Sequence, residues 1–250
     1  MSALLAARGL AKSFGAVVAA ADLDLEVEAG EIHALIGPNG AGKTTVLGLL
    51  SGELRPDRGR VFLSGREVTH APVHERVRLG LGRTFQLSCV LPSFSVLENV
   101  AIAVQAREGS SFRFWKPASP DPRLEEPAFA LLERLGIDAL ADRPAAMLAH
   151  GERRLLELAM ALASRPKVLL LDEPLAGVGS KEAQRLVEIL ARLRAEGGVL
   201  LVEHDMDAVF RLADRITVLV NGRAIASGPP SVVRADPLVR AAYLGDDSER

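Results

Sequence analysis

Nine consecutive residues, Gly37-Pro38-Asn39-Gly40-Ala41-Gly42-Lys43-Thr44-Thr45, constrain this chain more than any other stretch. They satisfy the spacing G-x-x-x-x-G-K-[ST], in which glycines let the backbone curl until several N–H groups point into one concavity. Gly30 to Ile36 before them reads as a turn into a buried strand, and Val46 to Leu50 after them as the start of a helix. A helix that opens near Gly42 adds the positive end of its dipole, Lys43 reaches the β- and γ-phosphates, and the Thr44 hydroxyl can ligate Mg²⁺. The stretch is a cradle for a nucleoside triphosphate. An accidental match arises roughly once in a hundred chains of this length, and the strand and helix flanks lower that further.

Composition narrows the surroundings of the cradle. With 250 residues, 48% of them hydrophobic and 25% charged, the chain can bury a full core as one large domain or a core with a subdomain. A net charge of −2 gives no electrostatic case for a nucleic-acid partner, which asks for a basic face. The single Cys89 cannot close an internal disulfide and suits a reducing cytoplasm. The N-terminus lacks a charged-then-apolar signal pattern, and no run approaches the roughly 18 apolar residues of a membrane span. Work at a membrane would go through a partner.

In chain order, Leu4 to Leu10 reads as a strand, Ala11 to Gly15 as a loop, and Leu23, Leu25 and Val27 alternate with acids as a half-exposed strand does. An antiparallel β layer thus precedes the phosphate loop. Helical segments take over after Gln86: Ser95 and Glu98 stand at capping-box spacing, and Ala128 to Leu135 is amphipathic and ends at Gly136. Between them Arg107 to Pro127, with Phe112, Phe114 and Trp115, reads as a surface loop with its aromatics tucked against the helices. Gly151 to Arg154 opens a helix that stops before Pro166.

The apolar run Val168 to Leu171 has the length of a central parallel strand and delivers Asp172 and Glu173 at its C-terminal end, where ligands of α/β sheets sit. Asp172 there suits a Mg²⁺ site, and adjacent Glu173 is placed to orient or deprotonate an attacking water. Val199 to Val202 is a second buried strand carrying Glu203, His204 and Asp205 at its tip. Asn221-Gly222 marks a hairpin, and one or two short helices complete the chain. His70 and His74 have no third metal ligand beside them. The division expected is a nucleotide-binding core over residues 1–86 and 165–230, a helical subdomain over 87–164 and a C-terminal tail over 231–250.

With Asp172 in place, the motifs resemble the nucleotide-binding subunit of an ATP-binding-cassette (ABC) transporter over nearly the whole chain. The phosphate loop is similar to Walker A and Val168 to Glu173 to Walker B. Gln86 falls at the Q-loop glutamine, His204 at the switch histidine, and Leu148-Ala149-His150-Gly151-Glu152 at the LSGGQ signature. The resemblance implies an α/β P-loop NTPase of RecA-like core, with an antiparallel β layer and a helical subdomain. It makes Gln86 a ligand of Mg²⁺ or the lytic water and a hinge to that subdomain. His204 becomes a γ-phosphate contact. Phe14 becomes the aromatic that stacks on adenine, although by itself it reads equally as a core side chain.

Two positions depart from the family pattern. Ala149 stands where the signature serine is usual, so a hydroxyl that would bond the partner subunit's γ-phosphate is missing. Gly179, in Leu175-Ala176-Gly177-Val178-Gly179, stands where the D-loop has an aspartate, which puts symmetric homodimer function in doubt. Such departures, with Arg83-Thr84-Phe85-Gln86, the Ser95 to Val100 stretch and Ala242-Tyr243-Leu244-Gly245, resemble the first, LivG-like ATPase of branched-chain amino-acid importers.

That resemblance implies an ATPase using ATP and Mg²⁺ at the cytoplasmic face of a bacterial inner membrane. Its partners would be permease subunits, a second homologous ATPase or a second copy of this chain, and indirectly a periplasmic binding protein, with no nucleic acid. A urea or short-amide importer and a lipopolysaccharide-type exporter ATPase carry the same motifs, because the transported molecule never touches this chain. A non-transport ABC ATPase of DNA repair or translation would bring tandem cassettes, coiled coils or zinc modules that this sequence lacks. The long helical stretch between Lys43 and Asp172 argues against a P-loop kinase.

Overall fold

The computed structural model describes residues 3–84, 90–108 and 121–244. Strands β1 (Leu5–Phe14) and β2 (Val17–Val27) form a long antiparallel hairpin. The loop read over Ala11 to Gly15 is instead the end of β1, where Lys12, Ser13 and Phe14 pair with Ala20, Val18 and Val17. Register shifts after Ala7 and Leu10 break the alternation there, and that hid the strand in the sequence. Strand β3 (Ile32–Ile36) is buried at every residue and leads through the phosphate loop into helix α1 (Lys43–Ser51). Strands β4 (Arg58–Leu63) and β5 (Arg66–Glu67) complete a four-stranded sheet of order β2-β1-β4-β5.

Helix α2 (Val73–Arg78) contributes Arg76, buried, whose guanidinium donates to Leu49 O at 2.8 Å, Leu50 O at 2.7 Å and Thr69 O at 3.0 Å. A cation on the last carbonyls of α1 suits the negative end of that helix and holds it between the sheets. Next come strand β6 (Leu81–Arg83) and three helices packed on one another, α3 (Val96–Glu108), α4 (Pro122–Leu135) and α5 (His150–Ala163). The capping box forms as its spacing predicts: Ser95 Oγ accepts from Glu98 N and Glu98 Oε2 from Ser95 N. Helix α4 starts before the amphipathic segment, with Pro122 at its first position and Asp121 accepting from Arg123 N, and Gly136 ends it at φ 64°.

Strand β7 (Val168–Asp172), helix α6 (Ser180–Leu193), strand β8 (Gly198–Val202), helix α7 (Met206–Leu212) and the hairpin β9 (Arg215–Val220) and β10 (Arg223–Gly228) come after α5. Helices α8 (Pro230–Ala235) and α9 (Pro237–Leu244) close the described chain. The second sheet has the order β10-β9-β3-β8-β7-β6, parallel except for β10.

Successive strand side chains point to opposite faces, and both faces of this sheet are covered. Leu170 and Leu200 pack with Val46, Leu47, Leu49 and Leu50 of α1, which also meet Leu5, Leu10 and Leu23 of the antiparallel layer. Leu169, Leu171, Val199 and Leu201 face the helices, with Val100, Leu132, Leu155 and Leu186. Burial of each such Leu or Val contributes about 1.5–3 kcal/mol. Helix α1 is therefore apolar all round, and its N-terminus stays where β3 leaves it. Among the described residues no helix is long and apolar enough to cross a membrane.

Candidate nucleotide-binding and hydrolysis site

The phosphate loop is built so tightly that two of its glycines, Gly37 and Gly42, leave no room for a side chain. Gly42 sits at φ 105°, and a Cβ there would lie 2.1 Å from Ala19 O; at Gly37 a Cβ would lie 2.1 Å from Leu219 O. Both obstacles are backbone and cannot swing aside. Between them Pro38 is half-buried, Asn39 and Gly40 are exposed, and Ala41 is buried. Gly42 caps α1 without any side chain on its first turn, which leaves helix N–H groups for an anion. Lys43 is buried, and its Nζ donates to Gly37 O at 2.7 Å and Pro38 O at 3.1 Å. Burial lowers its pKa, while Glu173 and Asp172 act to raise it. Thr44 is exposed at the mouth and Thr45 is half-buried.

Parallel pairing of β3, β7 and β8 brings three chain-distant carboxylates and a histidine to the same edge of the sheet as this loop. Asp172 is 3% exposed, and neither carboxylate oxygen accepts a hydrogen bond among the described residues. Arg83 Nη2 lies 3.9 Å from its Oδ2. Burial raises the Asp172 pKa, with the Arg83 charge acting in the opposite sense. A buried carboxylate that has one long ion pair and no hydrogen bond to either oxygen retains capacity for a closer cation. The donor set, Asp172 carboxylate with the Thr44 hydroxyl, is the oxygen chemistry that Mg²⁺ takes.

Glu173 holds φ at 47°, a left-handed value uncommon outside glycine and asparagine, and its N–H donates to Val202 O at 2.9 Å. This turn aims its carboxylate at β8's tip, where His204 Nδ1 lies 3.8 Å from Glu173 Oε1. His204 itself is largely exposed, with 62% of its side chain accessible.

Two residues here carry more than the sequence announced. Arg83, at the end of β6, donates to Ser51 Oγ at 2.8 Å and pairs with Glu53 Oε2 at 2.8 Å, tying the Asp172 strand to the end of α1. Glu203 is fully buried, and its carboxylate accepts from Leu175 N at 2.8 Å and His204 N at 3.1 Å. The available signal was the one that marked Asp172: an acid directly after a wholly apolar strand.

The signature stretch is placed differently. Ala149 caps α5 and is exposed, Leu148 is half-buried, and Gly151 is buried. Glu152 Oε2 accepts from Ala149 N at 2.8 Å, half of a capping box whose other half alanine cannot supply. His150 Nε2 bonds Ala176 O at 3.1 Å, so the loop is fastened to the Leu175 to Gly179 segment. No hydrogen bond or ion pair joins Leu148–Glu152 to the phosphate loop among the described residues. Phe14 is 48% exposed, a surface aromatic, with Lys12 Nζ 5.5 Å from its ring centroid. Gln86 lies outside the described residues, as does the aromatic cluster at 112–115.

A P-loop cradle, a β7 acid pair and a helical layer inserted between them define an ATP-hydrolysing cassette. The family described as ABC transporter matches residues 20–176, and that described as branched-chain amino acid ATP-binding cassette transporter matches residues 225–249. The chain belongs to the ATP-binding subunits of the ABC transporter family, and it has the ABC ATPase fold. It is 39% identical to the lipopolysaccharide export system ATP-binding protein LptB of Acidithiobacillus ferridurans over 98% of each chain. It is 40% identical to the high-affinity branched-chain amino acid transport ATP-binding protein LivG of Salmonella typhimurium over 97% of this chain and 98% of that protein. A nucleotide-free ATP-binding cassette from an ABC transporter superposes with a TM-score of 0.86 at 31% identity, covering 97% of this chain and 99% of that one. The chain is an ATPase that couples ATP hydrolysis to transport.

Proposed function

We propose that this chain is one ATPase of an importer for branched-chain or other hydrophobic amino acids. It would sit at the cytoplasmic face of the inner membrane beside two permease subunits, a second ATPase and, across the membrane, a binding protein. One observation carries the substrate: residues 225–249 match the branched-chain cassette family. The 39% identity to LptB supports a second reading, the ATPase of a lipopolysaccharide-type exporter.

In the mechanism that the site supports, N–H groups of Gly40 to Thr45 and the Lys43 ammonium hold the β- and γ-phosphates, and Lys43 leaves its loop carbonyls to do so. Phe14 offers its exposed ring to adenine. Thr44 and Asp172, with Gln86, would hold Mg²⁺, which neutralises charge on the transferred phosphoryl group. Glu173 takes the proton of the attacking water, and His204 steadies the γ-phosphate and the Glu173 carboxylate together. A second cassette presents its signature helix N-terminus to this nucleotide. ATP then favours the closed pair because it adds contacts absent from the open one.

Glu173→Gln removes the base and keeps the cradle. Turnover is expected to fall by roughly 10²–10⁴-fold while ATP affinity stays within about twofold; near-full hydrolysis would remove Glu173 from this role. Pull-down of the tagged chain from detergent-solubilised native membranes, with mass spectrometry, tests the setting. Two permeases and a second ATPase are expected. Recovery of lipopolysaccharide-export components favours the second reading, and recovery of no membrane protein overturns both.

A further inference from the structure

Glu203 is a buried acid that the hydrolysis scheme leaves unused. It is the first residue beyond β8, its side chain has no solvent exposure, and among the described residues no lysine or arginine pairs with it; the His204 ring lies beside it, with Nδ1 3.9 Å from Oε2. Placing a carboxylate there is costly, and burial does push its pKa up, with the N–H groups of Leu175, His204 and Asp205 opposing. What it gains is backbone hydrogen bonds from two different loops, with the Asp205 N–H beside that of His204 on one side and Leu175 on the other. Oε1 takes Leu175 N–H at 2.8 Å and Oε2 takes His204 N–H at 3.1 Å.

Those loops lead to the residues assigned to hydrolysis. Leu175 stands two residues after Glu173, and Ala176 N returns to Glu173 O at 3.1 Å, closing a turn around that acid. Ala176 O in turn accepts from His150 Nε2 of the signature loop. His204 is the residue whose ring approaches Glu173. An apolar residue at 203 would leave the buried Leu175 N–H and the part-buried His204 N–H without this acceptor and the loops free to separate.

We infer that Glu203 is a positioning residue for hydrolysis: its carboxylate latches the turn after Glu173 to the backbone of His204, fixing the 3.8 Å approach of His204 to Glu173. The inference rests on the proposed roles of Glu173 and His204. Through Ala176 and His150 the same latch joins the hydrolytic residues to the signature loop, so the two loops move as one unit.

A double-mutant cycle on the full-length chain tests it, with Glu203→Gln, His204→Ala and the pair, reading kcat, KM and ATP affinity. The isosteric amide keeps one acceptor and turns an NH₂ toward the other N–H. Glu203→Gln is expected to lower kcat on the order of 10- to 100-fold, the effect of losing one hydrogen bond to a charged group. ATP affinity is expected to be unchanged, and in the His204→Ala background the same substitution should add less than about twofold. Multiplicative losses, or a drop in thermal stability with kcat per folded molecule intact, overturn the inference and leave the site reading standing. Full turnover in His204→Ala overturns the site reading itself. Glu203→Asp, which keeps the charge and shortens the reach, carries the same cycle should the glutamine variant not fold.

Discussion

Two loops of this chain open helices with bare N-termini, and they are constructed in opposite ways. The phosphate loop before α1 exposes Asn39, Gly40 and Thr44 at its mouth but is enclosed at its glycines and lysine: Lys43 folds onto Gly37 O and Pro38 O, and an added Cβ at either Gly37 or Gly42 would strike a carbonyl at 2.1 Å. The signature loop before α5 is open: Ala149 and His150 are exposed, the helix cap has one of its two bonds, and its tie to the rest of the chain runs to Ala176. A loop that binds phosphate within its own chain can be rigid, because every partner is supplied by the same fold. A loop that completes its site on another subunit, the role proposed for the signature loop, has to display its N–H groups at the surface. The contrast is one of self-sufficiency.

The largest expected effect strikes the enclosed loop. Gly42→Ala places a side chain at φ 105° and against Ala19 O. The backbone conformation alone costs about 1–3 kcal/mol, and the clash adds to it. ATP affinity, measured by fluorescence of a labelled nucleotide, is expected to fall roughly 1,000-fold or more, about 4 kcal/mol. An alanine variant that binds within tenfold of the parent would show that the loop is adaptable, and the contrast with the signature loop would then fail.

The same contrast explains what the sequence disclosed. Gly37 to Thr45, the strand ahead of it and the apolar runs ending in Asp172 and at Glu203 are local patterns, and the parallel sheet follows from them because fully apolar strands need cover on both faces. The hairpin at Asn221-Gly222, with φ of 48° and 77°, and the capping box at Ser95 were legible for the same local reason. What was hidden depends on approach in space. The Lys12 to Phe14 end of β1 is visible only once β2 pairs with it across register shifts. Glu203 reads as one of three polar residues at a strand tip until Leu175, from another strand's loop, donates to it. Arg83 gains its meaning from Ser51, Glu53 and Asp172, which are distant in the chain.

Acid should sharpen the comparison from the side of the enclosed loop. His33 lies in β3, four residues ahead of Gly37, and is 1% exposed. Its Nδ1 donates to Glu26 O at 2.5 Å, and Nε2 accepts from Thr217 Oγ1 at 2.8 Å. Burial lowers its pKa to about 4, with Glu31 opposing and Arg215 assisting. The unfolded chain, with an ordinary value near about 6.5, takes up this proton first as pH falls. The contribution is therefore whole above about pH 6.5 and is lost progressively as pH drops through the folded value near 4, a change of about 3 kcal/mol at most. Denaturant unfolding at pH 7, 5.5 and 4 is expected to show that loss, and His33→Gln to flatten it. An equal slope in the variant would assign the acid sensitivity elsewhere and leave β3 out of it.

The smallest expected effect falls on the open loop and asks whether its missing hydroxyl is needed by its own helix or by a partner. Ala149 has φ −64° and ψ 161°, a conformation that serine adopts without strain at a helix N-cap. In the isolated chain Ala149→Ser supplies the absent half of the capping box toward Glu152 N. The gain is about 1 kcal/mol, seen as a rise of about 2–4 °C in Tm without nucleotide. In the proposed pair the same hydroxyl would reach the γ-phosphate held by the other cassette, a hydrogen bond to a charged group worth about 1.5–3 kcal/mol. ATP-dependent dimerisation, followed by analytical ultracentrifugation in the Glu173→Gln background, is therefore expected to tighten about tenfold or more. A higher Tm with unchanged association would mean that the hydroxyl turns back onto α5. The open loop would then contribute backbone N–H groups alone, and its alanine would carry no penalty in the working pair.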